Sequence, residues 1–222
     1  MAKSAAVRAA APEMKSPVKP TGARLCAEDR RRVILAAAQK VFLERGYANA
    51  SIDAVVELAG GSKATVYRQF GNKEGLLAAL VTEGAESLAH LVHELPLDGA
   101  LEESLRTFGR GYLGLVMRPE RLALFRLVLG ECGRIPEMGD IFYRTGPQAV
   151  GKWLAEFFRG IAARGLIASD DPERTALQFM HAVRGDIHMQ VLLNPTRAPT
   201  EVELEQHIDF TVKTFLDGAR KR

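Results

Sequence analysis

Cysteine is nearly absent: Cys26 and Cys132 are all the sequence holds. They stand far apart, so they form neither a disulfide framework nor a metal-ligand spacing, a usage that fits a reducing compartment. Long apolar runs are missing too. No uncharged stretch approaches the roughly 18 residues of a membrane-spanning helix. Period-2 alternation is nowhere sustained and no Asn-Gly pair marks a hairpin, which argues against a sheet. There is no Gly-x-Ser-x-Gly, no phosphate loop and no dinucleotide fingerprint, so neither an enzyme nor a bound cofactor is expected. His90 and His93, or His181 and His188, sit at helical spacings but lack a third ligand, so no metal site is expected. The adjacent pairs Glu102-Glu103 and Asp170-Asp171 diverge on a helix or cap and read as solvated charge. No internal repeat is present.

What is there is ordinary in bulk and uneven in place. Hydrophobic residues make up 47% of the 222 and charged residues 26%, the balance of a globular chain. The net charge is +3 overall. Residues 1–73, however, carry 13 Lys+Arg against 6 Asp+Glu, a net +7, and residues 74–222 carry 17 against 21, a net −4. A basic head on a slightly acidic body points the head alone at a polyanion. The first 24 residues supply +4 of that charge, so a basic tail without a partner accounts for part of it. Lys3, Arg8 and Lys15 interrupt the apolar stretches of the N-terminus, and Pro12, Pro17 and Pro20 break any amphipathic targeting helix. Residues 1–26 therefore read as a flexible basic tail on a cytoplasmic protein.

Apolar residues recur at helical spacing throughout the rest. Ile34, Ala37, Ala38, Val41 and Phe42 make one stripe on a helix over 27–45, which Gly46 stops. Ser51 caps a short helix to Ala59, with Ile52, Val55, Val56 and Leu58 as its apolar face. Gly60-Gly61 break it, Ser62 caps a helix over 63–70, and Gly71-Asn72 break that one. Further helices are expected over 73–95, 99–117, 119–133, 137–164 with a possible break at Gly146-Pro147, 172–193 and 200–218. Asp98, Pro119, Pro136, Pro172 and Pro195 punctuate them. The expected fold is all-α: a three-helix head over 27–72 and a larger helical body over 73–222.

Residues 51–70, SIDAVVELAGGSKATVYRQF, have the layout of a helix-turn-helix: two helices of about eight residues around a glycine turn. In that arrangement the second helix enters a major groove and the first braces it. At 100° per residue, Val66 and Phe70 point together toward a core. Ala64, Thr65 and Arg68 lie opposite, with Tyr67 and Lys63 at the flanks. An alanine can rest on a thymine methyl, and an arginine can grip guanine O6 and N7 with two hydrogen bonds. Ser62, Lys63 and Tyr67 are placed to touch phosphates, helped by free N–H groups at the helix start. Lys73 opens the next helix beside them. An ordinary pair of short helices around a glycine turn would look much the same.

The stretch RRVILAAAQKVFLERGYANASIDAVVELAGGSKATVYRQFGNKEGLLAALV (31–81) resembles the DNA-binding domain of TetR/AcrR-type regulators. The resemblance rests on Phe42 to Tyr47 (F-x-x-x-G-[YF]), the Ala59-Gly60 turn, Ser62 to Phe70 (S-K-x-T-[VL]-Y-x-x-F) and Lys73-Glu74-Gly75-Leu76 (K-E-x-L). It implies phosphate contacts from Tyr67 and Lys73, and sequence preference tuned by Ala64, Thr65, Arg68 and Gln69. Ser51, as the cap of the bracing helix, completes the expected DNA-contact set. Gly61 departs from the pattern, which usually has an apolar residue there, and the expected consequence is looser packing under the turn.

Residues 120–147, ERLALFRLVLGECGRIPEMGDIFYRTGP, resemble the AefR-like subgroup of the same family. This implies a homodimer, a mainly apolar ligand pocket in each body, and release from DNA on ligand binding. The residues are compatible with it. Val150, Trp153, Leu154, Phe157, Phe158 and Ile161 form a wide apolar stripe. Phe108, Tyr112, Phe125, Trp153 and Phe157 are the candidate apolar lining, Trp153 foremost, and His181 and Arg184 the candidate polar groups. Aromatics at helical spacing serve equally well as plain core. Leu177, Met180, Val183, Ile187 and Val191, with Val202, Ile208, Val212 and Phe215 on the last helix, are the candidate dimer face, able to build a four-helix bundle. One short recognition helix reads few base pairs, so specificity calls for two half-sites about 34–36 Å apart, or a multiple.

The expected function is therefore a ligand-responsive repressor, binding a double-stranded operator as a homodimer and released by a small apolar or amphipathic effector. An activator, or a regulator without a ligand, would share the same head. A helical body whose head has lost DNA binding, or a protein-interaction bundle, is disfavoured by the intact Ser62-Lys63, Tyr67 and Lys73.

Overall fold

A computed structural model describes residues 26–95 and 101–219. The expected basic tail falls on residues outside these, except for Cys26, and the break expected at Asp98 lies outside them as well. The described residues form ten helices and no strand. They are α1 (Ala27–Asn49), α2 (Ile52–Ala59), α3 (Lys63–Phe70), α4 (Lys73–His93), α5 (Leu101–Val116), α6 (Pro119–Glu131), α7 (Pro136–Thr145), α8 (Pro147–Ala163), α9 (Pro172–Leu193) and α10 (Glu201–Ala219). The all-α expectation holds.

Local chemistry sets the boundaries. Ser51, Ser62, Asn72 and Asp171 each accept a backbone N–H of the first turn they cap, satisfying donors that a helix start leaves open. Cys26, assigned to the tail by sequence, caps α1 with its sulfur instead. Pro119, Pro136, Pro147 and Pro172 each open a helix, where the missing N–H costs nothing. Gly146-Pro147 does break the long expected helix into α7 and α8.

Two large hydrophobic clusters, with a small third of Leu122, Val191 and Leu192, hold the described residues together. The first joins α1, α2, α3 and the start of α4, and it also takes in Leu124 and Val128 of α6 and Met138 of α7. All five residues of the α1 stripe are in it. Leu58, expected on the apolar face of α2, is 48% exposed. The second cluster is the body core, built from α5, α8, α9, α10 and the C-terminal half of α4. Phe108, Phe158, Phe179 and Phe215 meet at its centre, with ring centroids 4.9–6.0 Å apart. Helix α4 thus belongs to both cores: Leu76, Leu77, Leu80 and Val81 to the head, Ala85, Leu88 and Val92 to the body. A boundary at residue 72/73 cuts the chain at a turn but not at a packing seam.

Helix α9 is kinked. Gly185 has φ 48° and ψ −158°, a conformation open to glycine and costly to other residues. The ring nitrogen Nε2 of His207 on α10 lies 2.8 Å from the Val183 carbonyl oxygen beside the kink. A Cβ at position 185 would stand 2.5 Å from the His207 ring. The kink and the α10 histidine therefore fit one another.

Candidate nucleic-acid interface and effector cavity

The head presents α3 as the sequence pattern requires. Val66 and Phe70 are buried at 2% and 8% exposure, anchoring the helix. Ala64, Tyr67 and Arg68 are exposed, and Thr65 is half-buried. Arg68 makes no ion pair with any described residue, so its guanidinium is uncommitted. Lys63 binds the Asp53 carboxylate at 2.6 Å, which ties the start of α3 to the start of α2 and raises the lysine pKa. Ser62 Oγ accepts the Thr65 N–H at 3.3 Å and lies 3.1 Å from the Thr65 hydroxyl. Ser51 is exposed and caps α2 through Ala54 N–H.

Two residues of the expected contact set sit differently. Gln69 is half-buried, with its side-chain oxygen enclosed, so it turns toward the protein rather than outward. The Lys73 ammonium donates to the carbonyls of Tyr47 and Ala48, at 2.8 and 3.2 Å, and lies over the Tyr47 ring at 4.6 Å. It fastens α4 to the end of α1, and most of its hydrogen-bonding capacity is spent there. The physical reason is the α1 terminus, whose open carbonyls attract a cation. Gly61 also acquires a reason: φ is 71° at Gly60 and 96° at Gly61, so the turn itself calls for glycine at both places. Helix α3 is capped at both ends regardless.

Beneath the head, at the seam between the two cores, lies a half-open cavity of about 90 Å3. Val81, Gly84, Ala85 and Leu88 of α4 form one wall; Tyr112, Leu115 and Val116 of α5 form another. Helix α6 contributes Arg121, Leu124 and Phe125, and α9 contributes Arg184 and His188. Phe142, Gly146, Pro147 and Val150 close the remaining side. Phe125 and Phe142 stack almost parallel, 3° apart at 5.2 Å. The Arg184 guanidinium covers the other ring neighbourhood, 5.0 Å from the Phe125 centroid, with Nη2 3.3 Å from His188 Nδ1. Arg121 donates to the Leu80 carbonyl at 2.6 Å and packs against the bare backbone of Gly84, where a Cβ would collide with it. Burial lowers the Arg121 pKa.

Of the candidate lining residues, Tyr112, Phe125 and Arg184 are in this wall. Phe108 and Phe157 are in the body core instead, 0% and 5% exposed, and Trp153 packs half-buried against that core. His181 is exposed on the surface, and the histidine of the cavity is His188. In a continuous helix the two, seven residues apart, would share a face; the Gly185 kink between them breaks that register. Nothing in the sequence places Arg121 and His188 together. The meeting of α6 with both α4 and α9 does so: Arg121 bonds the Leu80 carbonyl of α4, and Phe125 lies against His188 of α9.

Burial first, then the positive Arg184 and Arg126 nearby, pushes the His188 pKa down to about 4. The folded state therefore holds the imidazole neutral while the unfolded chain takes up a proton below about 6.5. Stability is expected to fall as pH drops from 6.5 toward 4, because the unfolded state binds more protons there. Urea titrations across that range should show the loss in wild type, and His188→Asn should flatten it. An equally steep loss in the variant would remove His188 as the cause.

Helix α6 also reaches the head directly. Gln39 Nε2 donates to the Glu120 carbonyl at 3.1 Å, and the Glu131 carboxylate accepts the Tyr47 N–H at 3.0 Å. The first and last turns of α6 are thus pinned to α1, and its middle lines the cavity.

An outward-facing helix-turn-helix on a larger helical body defines the class: a DNA-binding regulator. Residues 34–80 match the model for bacterial regulatory proteins of the tetR family, and residues 103–218 match the C-terminal domain of AefR-like transcriptional repressors. The chain belongs to the TetR family of transcriptional regulators, DNA-binding proteins and not enzymes. It is similar to the solved structure of the flavonoid-responsive regulator FrrA, with 35% identity and a TM-score of 0.71, covering 88% of this chain and 100% of that one. A TetR-family regulator from Mesorhizobium loti has 26% identity and a TM-score of 0.75, covering 89% and 100%. The repressor AcnR of Corynebacterium glutamicum is 33% identical over 124 residues, so the chain spans only 56% of that relative's length. The regulator TtgR of Pseudomonas putida is 26% identical over 87% of this chain and 93% of that one.

Proposed function

We propose that this chain is a cytoplasmic repressor that binds its operator as a homodimer and lets go when a small, mainly apolar effector fills the cavity. One observation carries the reading: α4 and α6, which supply part of the cavity wall, are bonded to α1 through Lys73, Gln39 and Glu131. A ligand that spreads that wall moves the head with it. If the displaced head spacing binds the ligand better than the operator-bound spacing does, the ligand shifts the population off DNA. Ala64, Thr65 and Arg68 then read base edges, while Ser62, Lys63 and Tyr67 hold phosphates. The stacked Phe125–Phe142 pair suits a planar aromatic effector, in keeping with the flavonoid response in the name of the FrrA relative. The test is selection of bound genomic fragments, followed by a compound screen for loss of fluorescence anisotropy on the selected operator. Release by one compound class at unchanged protein folding supports the reading; an operator complex indifferent to every cavity ligand contradicts it.

Of the stripe expected by sequence as the dimer face, Val202 points outward. Met180, Val183, Ile187, Val191, Ile208 and Val212 are buried inside the body, at 0–9% exposure. The outward apolar residues of α9 and α10 are Met189, Leu193, Val202 and Phe210, exposed at 48%, 76%, 63% and 70%. Phe210 stands beside a shallow notch formed with Gln178, Ala182, His207 and Thr214. A second copy related by two-fold symmetry would place α9 and α10 against their equivalents, aromatic into notch. Phe210→Asp is expected to cost about 2 kcal/mol or more of association, as a central aromatic anchor does. Sedimentation should show dimer in wild type and monomer in the variant at micromolar concentration. Unchanged dimerisation would move the interface elsewhere.

A further inference from the structure

The polar end of the cavity has cations and donors but no carboxylate. Arg121 and Arg184 both face it, and neither makes an ion pair with a described residue. The acids nearest Arg121, Glu83 and Glu120, are exposed. Arg121 uses one N–H on the Leu80 carbonyl. Arg184 reaches His188 Nδ1 and the Tyr112 hydroxyl, which leaves more of its five donors unused. An imidazole that accepts at Nδ1 and stays neutral carries its proton on Nε2, so it too is a donor. A tyrosine hydroxyl that accepts from a guanidinium keeps its own O–H to donate. Everything polar in the wall therefore offers hydrogen, and two members carry fixed positive charge. Around them Val81, Ala85, Leu88, Leu115 and Leu124 supply only hydrocarbon. Buried charge of this kind is expensive unless something pairs with it. Gly84 deepens the point, because it is the bare backbone at that position that gives the Arg121 guanidinium room.

We infer that the effector is an organic anion: a planar apolar body bearing one carboxylate or ionised phenol, held by Arg121 and Arg184 with the ring against Phe125 and Phe142. This rests on the effector-cavity reading above and adds the charge. The anion completes a bond network that the protein alone leaves short of acceptors, and it links Arg121 of α6 to Arg184 of the adjacent α9. A neutral amide of the same shape fills the hydrocarbon and offers one carbonyl acceptor, but brings no charge to pair with the guanidiniums.

Calorimetry on the full chain with 2-naphthoate and its neutral isostere 2-naphthamide tests this. The acid should bind at least about tenfold tighter than the amide, the scale of a charge-assisted pair. The preference should vanish in Arg121→Gln/Arg184→Gln and survive in Arg184→Lys, with circular dichroism confirming the fold of each. Equal binding of acid and amide, both lost in Leu115→Trp, would overturn the charge requirement and leave the effector cavity standing. Preference for the amide, or an acid preference that persists in the double variant, would overturn it as well. Binding of neither compound also counts against the anion, and the effector reading is then decided separately by the operator-release screen.

Discussion

Phe179→Ala is expected to destabilise the protein by about 3–5 kcal/mol, the range for a large aromatic removed from a core that cannot collapse onto the gap. Phe179 is fully buried. Its ring lies 6.0 Å from Phe108, 5.9 Å from Phe158 and 4.9 Å from Phe215, so it joins α5, α8 and α10 from α9. No single neighbour can swing into the space without leaving its own packing. At this chain length, such a loss lowers the melting temperature by roughly 10 °C. Urea unfolding followed by helical dichroism and Trp153 fluorescence measures it. A loss below about 1 kcal/mol would mean that the aromatic cluster is loosely packed and relaxes.

Arg68→Ala is expected to reduce discrimination between operator and random DNA by about 1–3 kcal/mol per half-site, hence up to roughly twice that in a dimer. Arg68 is exposed on the face of α3 opposite Val66 and Phe70, and no carboxylate holds it back. Lys63, by contrast, is paired with Asp53, and Lys73 is spent on the Tyr47 and Ala48 carbonyls. Lys73→Ala should therefore act mainly by loosening α4 from α1, weakening all DNA alike. Competition binding with operator and shuffled duplexes separates the two: a uniform weakening in Arg68→Ala, with the preference intact, would make that residue a phosphate contact only.

The head was legible in the sequence because its determinants are local. Glycine turns, serine caps and a 3.6-residue stripe fix α1 to α3 within some forty-five residues, and Val66 and Phe70 point where the helical angle puts them. The cavity was not legible, because it is made by packing rather than spacing. Trp153 and Phe157 share a strong helical stripe, which says that they are buried but not against what. His181 and His188 appear equivalent until the Gly185 kink separates them. Most of the apolar α9 and α10 stripes goes into the body core, so the outward face falls to Phe210 and Val202 with Met189 and Leu193. Lys73 is a case where a terminus a few ångströms away competes for a cation that sequence alone assigns to DNA.

The most direct test of the whole account is binding of the purified protein to fragments from upstream of its own gene, measured at several salt concentrations beside Arg68→Ala. One fragment is expected to bind at about 10⁻⁸ M or tighter near physiological salt. Its log affinity should fall steeply and linearly with log salt, and Arg68→Ala should lose the preference over random DNA. Equally weak binding to every fragment, unmoved by Arg68→Ala and followed by an empty genome-wide selection of bound DNA, would contradict it.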